Sequence, residues 1–432
     1  MSFASRLRAW LREFRTVWVG THPRDPALVD LWRAYQPSAS GVEVTERSAV
    51  GWTALASGIR LSAETMGMLP IDVVKRDGRK RIPTPEHAAA RVLMWPNEET
   101  SCMEFREVLQ TQIELWGNGY AQIVYDGARR PIELWQLPSD RVTVERNPRG
   151  AVQYRVGLPA EPFGPSVESV VLPADEVLHI RGWSRSGILG ERIAVLFKDA
   201  IGLGLATEFF GAAFFGNGAN AGGFLEHPGL LSQEAQDRLL KQKENQVGGI
   251  TRAHKLAILE EGMKWQQTTV EPEKAQFLGT RTFQLGEACR ILRLPPHVLY
   301  ELSRSTFSNI EHQGIELVTY SWLPRARRWE TRLAMQLLGR KDFYTTQIKF
   351  NMGALLRGDT TAQKDFFASG IQMGYLSQND VRELLDMNPI EGGDTYRAPA
   401  NIIPVNEPAP KPKPVPATPA GADHEDDDAK AA

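Results

Sequence analysis

Residues 273–294 read EKAQFLGTRTFQLGEACRILRL, and Pro295 and Pro296 follow at once. No breaker interrupts this stretch, so its 22 residues predict about 33 Å of helix at about 1.5 Å per residue. A second helical pattern runs from Ser308 to Leu338 and is interrupted only by Pro324, whose ring and missing N–H predict a kink or a break. The loop between them is short and rich in Pro and Ser. This pair of long helices is the feature around which the rest of the chain is read.

Upstream the pattern changes. Ser48 to Met66 reads as a helix stopped at Gly67 and Pro70, and Ile71 to Arg76 alternates as a strand that turns at Asp77-Gly78. A helix near Glu86 to Met94 ends at Trp95-Pro96-Asn97. Ser101, with Glu104 three residues on, makes a capping box for a helix to Trp116, stopped by Gly117-Asn118-Gly119. Short runs at Tyr120–Tyr125, Ile132–Leu137, Arg141–Glu145, Val152–Val156 and Val177–Arg181, divided by turn residues, predict an antiparallel β region. Helix returns after Gly190 and runs through Phe215. A strand at Gly223–Glu226, a polar helix at Ser232–Gln246 and a hairpin between Leu256–Glu260 and Trp265–Thr269 follow. Downstream, a strand at Tyr344–Phe350 precedes helices at Asp359–Met373 and Ser377–Met387. The expected fold class is α+β.

Both ends differ from this body. Phe3, Leu7, Trp10, Leu11, Phe14 and Trp18 lie at helical spacing among Arg6, Arg8, Arg12 and Arg15, a basic amphipathic helix. Its alternatives are a membrane-surface anchor, a transit peptide, or docking on a partner or on its own fold; the last is favoured. A linker extends to Thr45. Beyond Gly393 the prolines between Pro404 and Pro419 and the acids at 426–428 predict extended, solvated chain.

The 432 residues allow two or three folded units at about 150 residues each. Net charge is −2, but the last ten residues hold five acids and one lysine, so the remainder carries 49 basic and 47 acidic residues. By bulk charge this is not a nucleic-acid binder. No apolar run reaches the roughly 18 residues of a membrane span, and the longest, Ile201 to Phe215, contains Glu208 and several glycines. Cys102 and Cys289 are too few for a disulfide framework and favour a reducing compartment.

The search for chemistry finds no catalytic constellation. There is no GxxxxGK[ST] phosphate loop, no HExxH and no GxSxG. Gly202-Leu203-Gly204 lacks the third glycine of a dinucleotide site, since Thr207 stands there. His179 in an apolar strand reads as a satisfied core histidine. No metal site and no cofactor are expected. What stands out is eleven tryptophans and the cluster Arg325, Arg327, Arg328 and Arg332 just after Pro324. Trp and Arg are enriched at protein interfaces, so an assembly protein fits better than an enzyme, and DNA contact by the arginines stays open beside intersubunit salt bridges or a solvated face.

A series of motifs then carries a family resemblance: Trp95-Pro96-Asn97, Trp116-Gly117-Asn118-Gly119-Tyr120-Ala121, Asp175 to Arg181, Phe214 to Ala219, Leu294 to Leu299, Thr306 to Glu311 and Leu355 to Asp359. In that order and spacing, over about residues 48–390, the chain resembles the HK97-type portal proteins of tailed bacteriophages. The resemblance implies a homododecameric ring at one capsid vertex, seated against the major capsid protein. Double-stranded DNA would pass through it without sequence preference, during packaging by the terminase large subunit and during ejection. It also implies a head-completion or adaptor protein as partner, a location in the virion, and assembly in the host cytoplasm. Gene transfer agents have similar portals, and a DNA-processing nuclease or hydrolase is the alternative from another class.

Laid on the sequence, the resemblance implies a mixed α/β wing at 46–270, stem helices within 271–323, a clip loop near 295–307, a tunnel loop with a wing helix and strand at 324–352, and a helical crown at 353–393. Trp322, Pro324 and Arg325 are then candidates to face DNA in the channel. Arg327, Arg328 and Arg332 are candidates for subunit contacts, and Pro295, Pro296, Leu299 and Tyr300 for docking a partner at the clip.

Overall fold

The structure is a computed structural model that describes residues 37–78, 80–158, 169–216, 223–226, 233–234, 264–267, 274–301, 313–353, 355, 360–385 and 387–396. The expected N-terminal helix, most of the helix at 232–246, the first strand of the expected 256–269 hairpin, residues 302–307 of the 295–307 loop and the acidic tail lie outside these residues. The chain divides into two compact units, Met1–Leu355 and Leu356–Ala432.

In the first unit, α1 (Glu46–Ala49) and α2 (Thr53–Met68) lead to β1 (Ile71–Asp77) and β2 (Lys80–Pro83). Next come α3 (Ala88–Met94) and α4 (Cys102–Trp116). Both halves of the predicted capping box form, Glu104 N–H donating to Ser101 Oγ at 3.2 Å and Ser101 N–H to Glu104 Oε2 at 2.8 Å. Gly117 ends α4 in the left-handed region at φ 73°.

The strands β3 (Asn118–Tyr125), β4 (Pro131–Leu137) and β8 (Val177–Arg181) form one antiparallel sheet in the order β4-β3-β8. A second has the order β5-β6-β7, from β5 (Val142–Arg146), β6 (Val152–Gly157) and β7 (Ser169–Pro173). Tyr120, Tyr154, Val156, Leu172 and Val177 form the apolar cluster they share.

Two helices follow, α5 (Ile193–Leu196) and α6 (Lys198–Gly216), then β9 (Gly223–Glu226). The chain returns as β10 (Lys264–Gln267), which pairs antiparallel with β9, and continues into α7 (Lys274–Leu292). Ile201 of α6 shares a cluster with Ala288 and Leu292 of α7, and further along Glu208 lies 3.9 Å from Arg281. The two helices are therefore antiparallel arms extended by the β9–β10 ladder. α7 packs against α6 and α2, and its last turn also meets Trp322 of the helix that resumes at Gln313.

After a 3₁₀ turn at Pro296–Leu299, the described chain resumes at Gln313 as helix. It passes through a π-helical turn at Leu317–Trp322 directly into α8 (Leu323–Leu337). Pro324 thus stands inside a continuous helix, where a kink or a break was expected; the break does not occur. The physical reason is the register change: Leu323 N–H bonds five residues back to Val318 O, and this wider turn makes room for the proline ring. α8 packs against β8 and β11 (Thr346–Phe350), and β11 pairs with β1 in the sheet β11-β1-β2. Trp329, Leu333 and Leu337 of α8 join Phe105, Leu109, Ile180 and Phe350 in the main core.

The second unit contains α9 (Thr360–Gln372) and α10 (Gln378–Leu384). Ser377 and Asp380 make a capping box for α10, and the buried Asn379 donates to Ile390 O and Asp394 Oδ1 and accepts from Ile390 N–H, tying the helix to the segment after it.

Candidate functional site at the start of the arginine helix

Along α4, Arg106, Gln110 and Glu114 recur every four residues beside the apolar set Phe105, Leu109 and Ile113. Residues four apart share a helix face, so α4 turns a polar stripe as well as an apolar one inward. Arg106 Nε donates to Gly67 O at 3.1 Å, closing the end of α2. Gln110 accepts from Trp329 Nε1 at 2.8 Å and donates to Glu114 Oε1 at 2.7 Å.

Arg325 completes this network from α8. Its Nε donates to Glu114 Oε1 at 2.6 Å and Nη2 to Glu114 Oε2 at 3.3 Å, while the side chains are only 10% and 12% exposed. Nη2 also donates to Leu292 O at 2.8 Å, Nη1 to Ser321 O at 3.1 Å, and the guanidinium lies 5.5 Å from the Trp322 ring centroid. Leu292 O belongs to the last turn of α7, where carbonyls lack helical partners and a cation opposes the helix dipole. Ser321 Oγ donates to the next carbonyl, Arg293 O. One side chain therefore ties α4, the end of α7 and the π-helical turn together.

Trp322 and Arg325 were expected to face DNA. In this structure both are interior, Trp322 at 2% exposure in the cluster of α2, α6 and α7, and Arg325 in its pair with Glu114. The α-helical path through Pro324 turns them inward. Arg327 pairs with Glu330 of its own protomer at 2.7 Å, and the buried Glu330 also accepts from Lys349 Nζ and Phe350 N–H. Arg328 and Arg332 are half-buried and form no ion pair among the described residues. In the turn that follows α7, Leu299 is buried and Tyr300 is 92% exposed with φ 62°. Pro295 and Pro296 frame the 3₁₀ turn that presents it, so only Tyr300 of that quartet offers a large exposed side chain.

A cavity of about 460 Å³ opens beside this network, lined by Gly117, Trp183, Arg293, Pro324, Arg325 and Arg328 among others. Burial, then the neighbouring Arg325 and Arg293, hold the Arg328 guanidinium below the usual arginine range, with Glu114 opposing them. The backbone crossing behind it is close: a Cβ on Gly190 would lie 1.8 Å from Gly117 O.

His179 is set among Tyr120, Tyr154, Asn118, Arg181 and Arg332. Burial, then Arg181 and Arg332, push its pKa down to about 2. Asn118 donates its amide to Trp116 O and Gly190 O, so its Oδ1 accepts from Gly190 N–H and from His179 Nε2 at 2.9 Å. His179 Nδ1 then accepts from Tyr154 Oη at 3.1 Å, and the ring is neutral and satisfied. Among the described residues no three His, Cys, Asp or Glu side chains gather as a metal site, and no helix is long and apolar enough to cross a membrane. The arrangement holds elements together and presents cations; it does not assemble a nucleophile with a base.

The sequence matches the family described as "Phage portal protein" over residues 53–386. The chain belongs to that family. It is 32% identical over 398 residues to the probable portal protein of Streptomyces phage phiC31, covering 87% of this chain and 85% of that one. It is 28% identical over 355 residues to the portal protein of Enterobacteria phage HK97, covering 81% and 82%. The fold matches an HK97 family phage portal protein from Corynebacterium diphtheriae, with TM-score 0.54, 16% identity and 73% and 98% of the two chains covered. It also matches a chain in the neck of a native gene transfer agent particle computed with C12 symmetry, with TM-score 0.52, 21% identity and 88% and 99% covered. The α+β class and the portal fold follow from these likenesses. Sequence reading did not single out the polar stripe of α4, whose four-residue spacing is a local signal; the residue that completes it, 211 positions away, carried none.

Proposed function

We propose that this portal protein closes into a ring of twelve copies at one capsid vertex and serves as the conduit through which duplex DNA is packaged and ejected. The observation that carries this is the family match over residues 53–386, and the likeness to a chain of a C12-symmetric neck supports the subunit number. The ring seats against the major capsid protein and offers its projecting end to the terminase large subunit during packaging and to a head-completion protein afterwards. It catalyses nothing itself; ATP turnover belongs to the terminase. DNA passes without sequence preference, and the arginines of α8 act mainly within and between protomers. Particle assembly takes place in the host cytoplasm.

The stem is proposed in the antiparallel arms α6 and α7, which replaces the stem expected on either side of Pro295. The β9–β10 ladder lies between those arms in the chain, and the partner-docking end is proposed beyond it. The wing is the sheet-bearing body of the first unit, and the crown is the pair α9 and α10. Sedimentation of the purified full chain tests assembly: twelve copies of a 48.2 kDa chain give a species of about 580 kDa. A single species near the protomer mass at every salt concentration would remove the conduit reading, and ATPase or nuclease turnover that survives purification would remove the non-enzyme reading.

A further inference from the structure

The cavity at the start of α8 has a lopsided charge. Arg293, Arg325 and Arg328 line it with Glu114 as the carboxylate close to them, and Glu114 is already held by Arg325. Glu191, also on the wall, pairs with Arg185 at 2.9 Å. Arg328 is half-buried, meets like charge on two sides, and forms no hydrogen bond or ion pair with the described residues of its own protomer. Holding a guanidinium in that position is unfavourable for the isolated chain. An incoming anion reverses the sign.

The mouth is apolar as well. Trp183 is 55% exposed and Leu196 38% exposed, both on the cavity wall. A desolvated arginine beside an exposed tryptophan is the composition of an interface centre. The left-handed backbone of Arg293, at φ 56°, is fixed at the end of α7 by the Ser321 hydroxyl on its carbonyl, so the wall is rigid.

We propose that this cavity is a socket for a neighbouring copy of the same chain, which inserts a carboxylate side chain to pair with Arg328 while its apolar surroundings cover Trp183. This rests on the ring reading. Charge complementarity selects an acidic side chain, and the C12-symmetric assembly of a chain with this fold selects a second copy as its source. The socket makes Arg328 unfavourable in the protomer and favourable in the ring.

The test uses the full chain with Arg328→Met, Arg328→Lys and Trp183→Ala. Melting is followed at concentrations where the chain is dispersed, and assembly is followed by sedimentation. Arg328→Met is expected to raise the melting temperature of the dispersed protomer and to raise the concentration needed for rings by about tenfold or more, the loss typical of an interface centre. Arg328→Lys, which keeps the charge without the planar fork, falls between Met and wild type in assembly. Trp183→Ala weakens rings without lowering protomer melting. The socket is overturned if Arg328→Met lowers protomer melting or leaves assembly unchanged. It is equally overturned if dispersed wild-type protomer binds inorganic phosphate or duplex DNA through Arg328 while the variant's rings are intact, because the anion is then a phosphate. Absence of wild-type rings in the same series is a separate outcome and rejects the ring itself.

Discussion

Arg325 and Glu114 lie 2.6 Å apart and almost out of solvent, so removing either leaves a buried charge without its partner. Such a loss costs about 3–5 kcal/mol, more than most single substitutions. Arg325→Ala should therefore lower the unfolding free energy obtained from denaturant titration by that amount, while Arg325→Met with Glu114→Leu recovers most of it; equal losses in single and double variants would deny the pair. His179 gives a pH signature. Its folded pKa lies near 2, well below the unfolded value of about 6.5, so the unfolded chain takes up the proton first. The stability that the neutral ring contributes is complete above about pH 6.5 and falls with acidification by about 1.4 kcal/mol per pH unit toward pH 2. Urea melts of His179→Gln should show a shallower acid limb than wild type, by about that slope. Tyr300 holds φ 62° with its side chain in solvent, and relieving a left-handed non-glycine residue makes Tyr300→Gly neutral or stabilising by up to about 1 kcal/mol. At this scale the sequence was legible where the partner is local, as with Ser101 and Glu104. It was silent where the partner lies far along the chain, as with Arg325, whose arginine cluster was visible and whose direction was not.

Among the described residues most helices and strands were legible, because their periods are written locally in stretches such as Lys274–Leu292 and Val177–Arg181, whereas the short strands Lys80–Pro83 and Ser169–Pro173 were not predicted. Their pairing was not. β1 joins β11 across more than 270 residues, and α7 takes α6 as its partner across the β9–β10 excursion; neither choice is encoded by periodicity. Pro324 misled for a more specific reason. A proline breaks an α-helical register, but a preceding π turn changes that register and keeps the helix whole. Where elements cross closely, glycine is required by contact and not by composition. Gly190→Ala forces its Cβ into Gly117 O, and neither backbone is free to yield. That variant should lose soluble folded protein, whereas Gly127→Ala, with open space around it, should melt as wild type does. Ser101→Ala removes half of the α4 capping box and should cost about 1 kcal/mol in the same assay.

At the scale of the whole molecule, the function depends on copies of the chain more than on any one of them. A chain ending at Ala400 should fold and assemble like the full one, since a proline-rich segment with an acidic tip has little apolar surface to bury; loss of assembly would make the tail a contact. The resemblance to portals was carried by short motifs in order, and the structure gives several of them physical roles. Asn97 donates to Leu134 O and accepts from Glu99 and Thr100 N–H, and Asn118 locks His179 and Gly190, so these motifs are joints of the fold. The proposed conduit requires a closed ring. End-on cryo-electron microscopy averages of the purified full chain measure it most directly. Rings with an open centre and twelve equal subunits are predicted; dispersed single protomers across a range of salt concentrations would contradict the account.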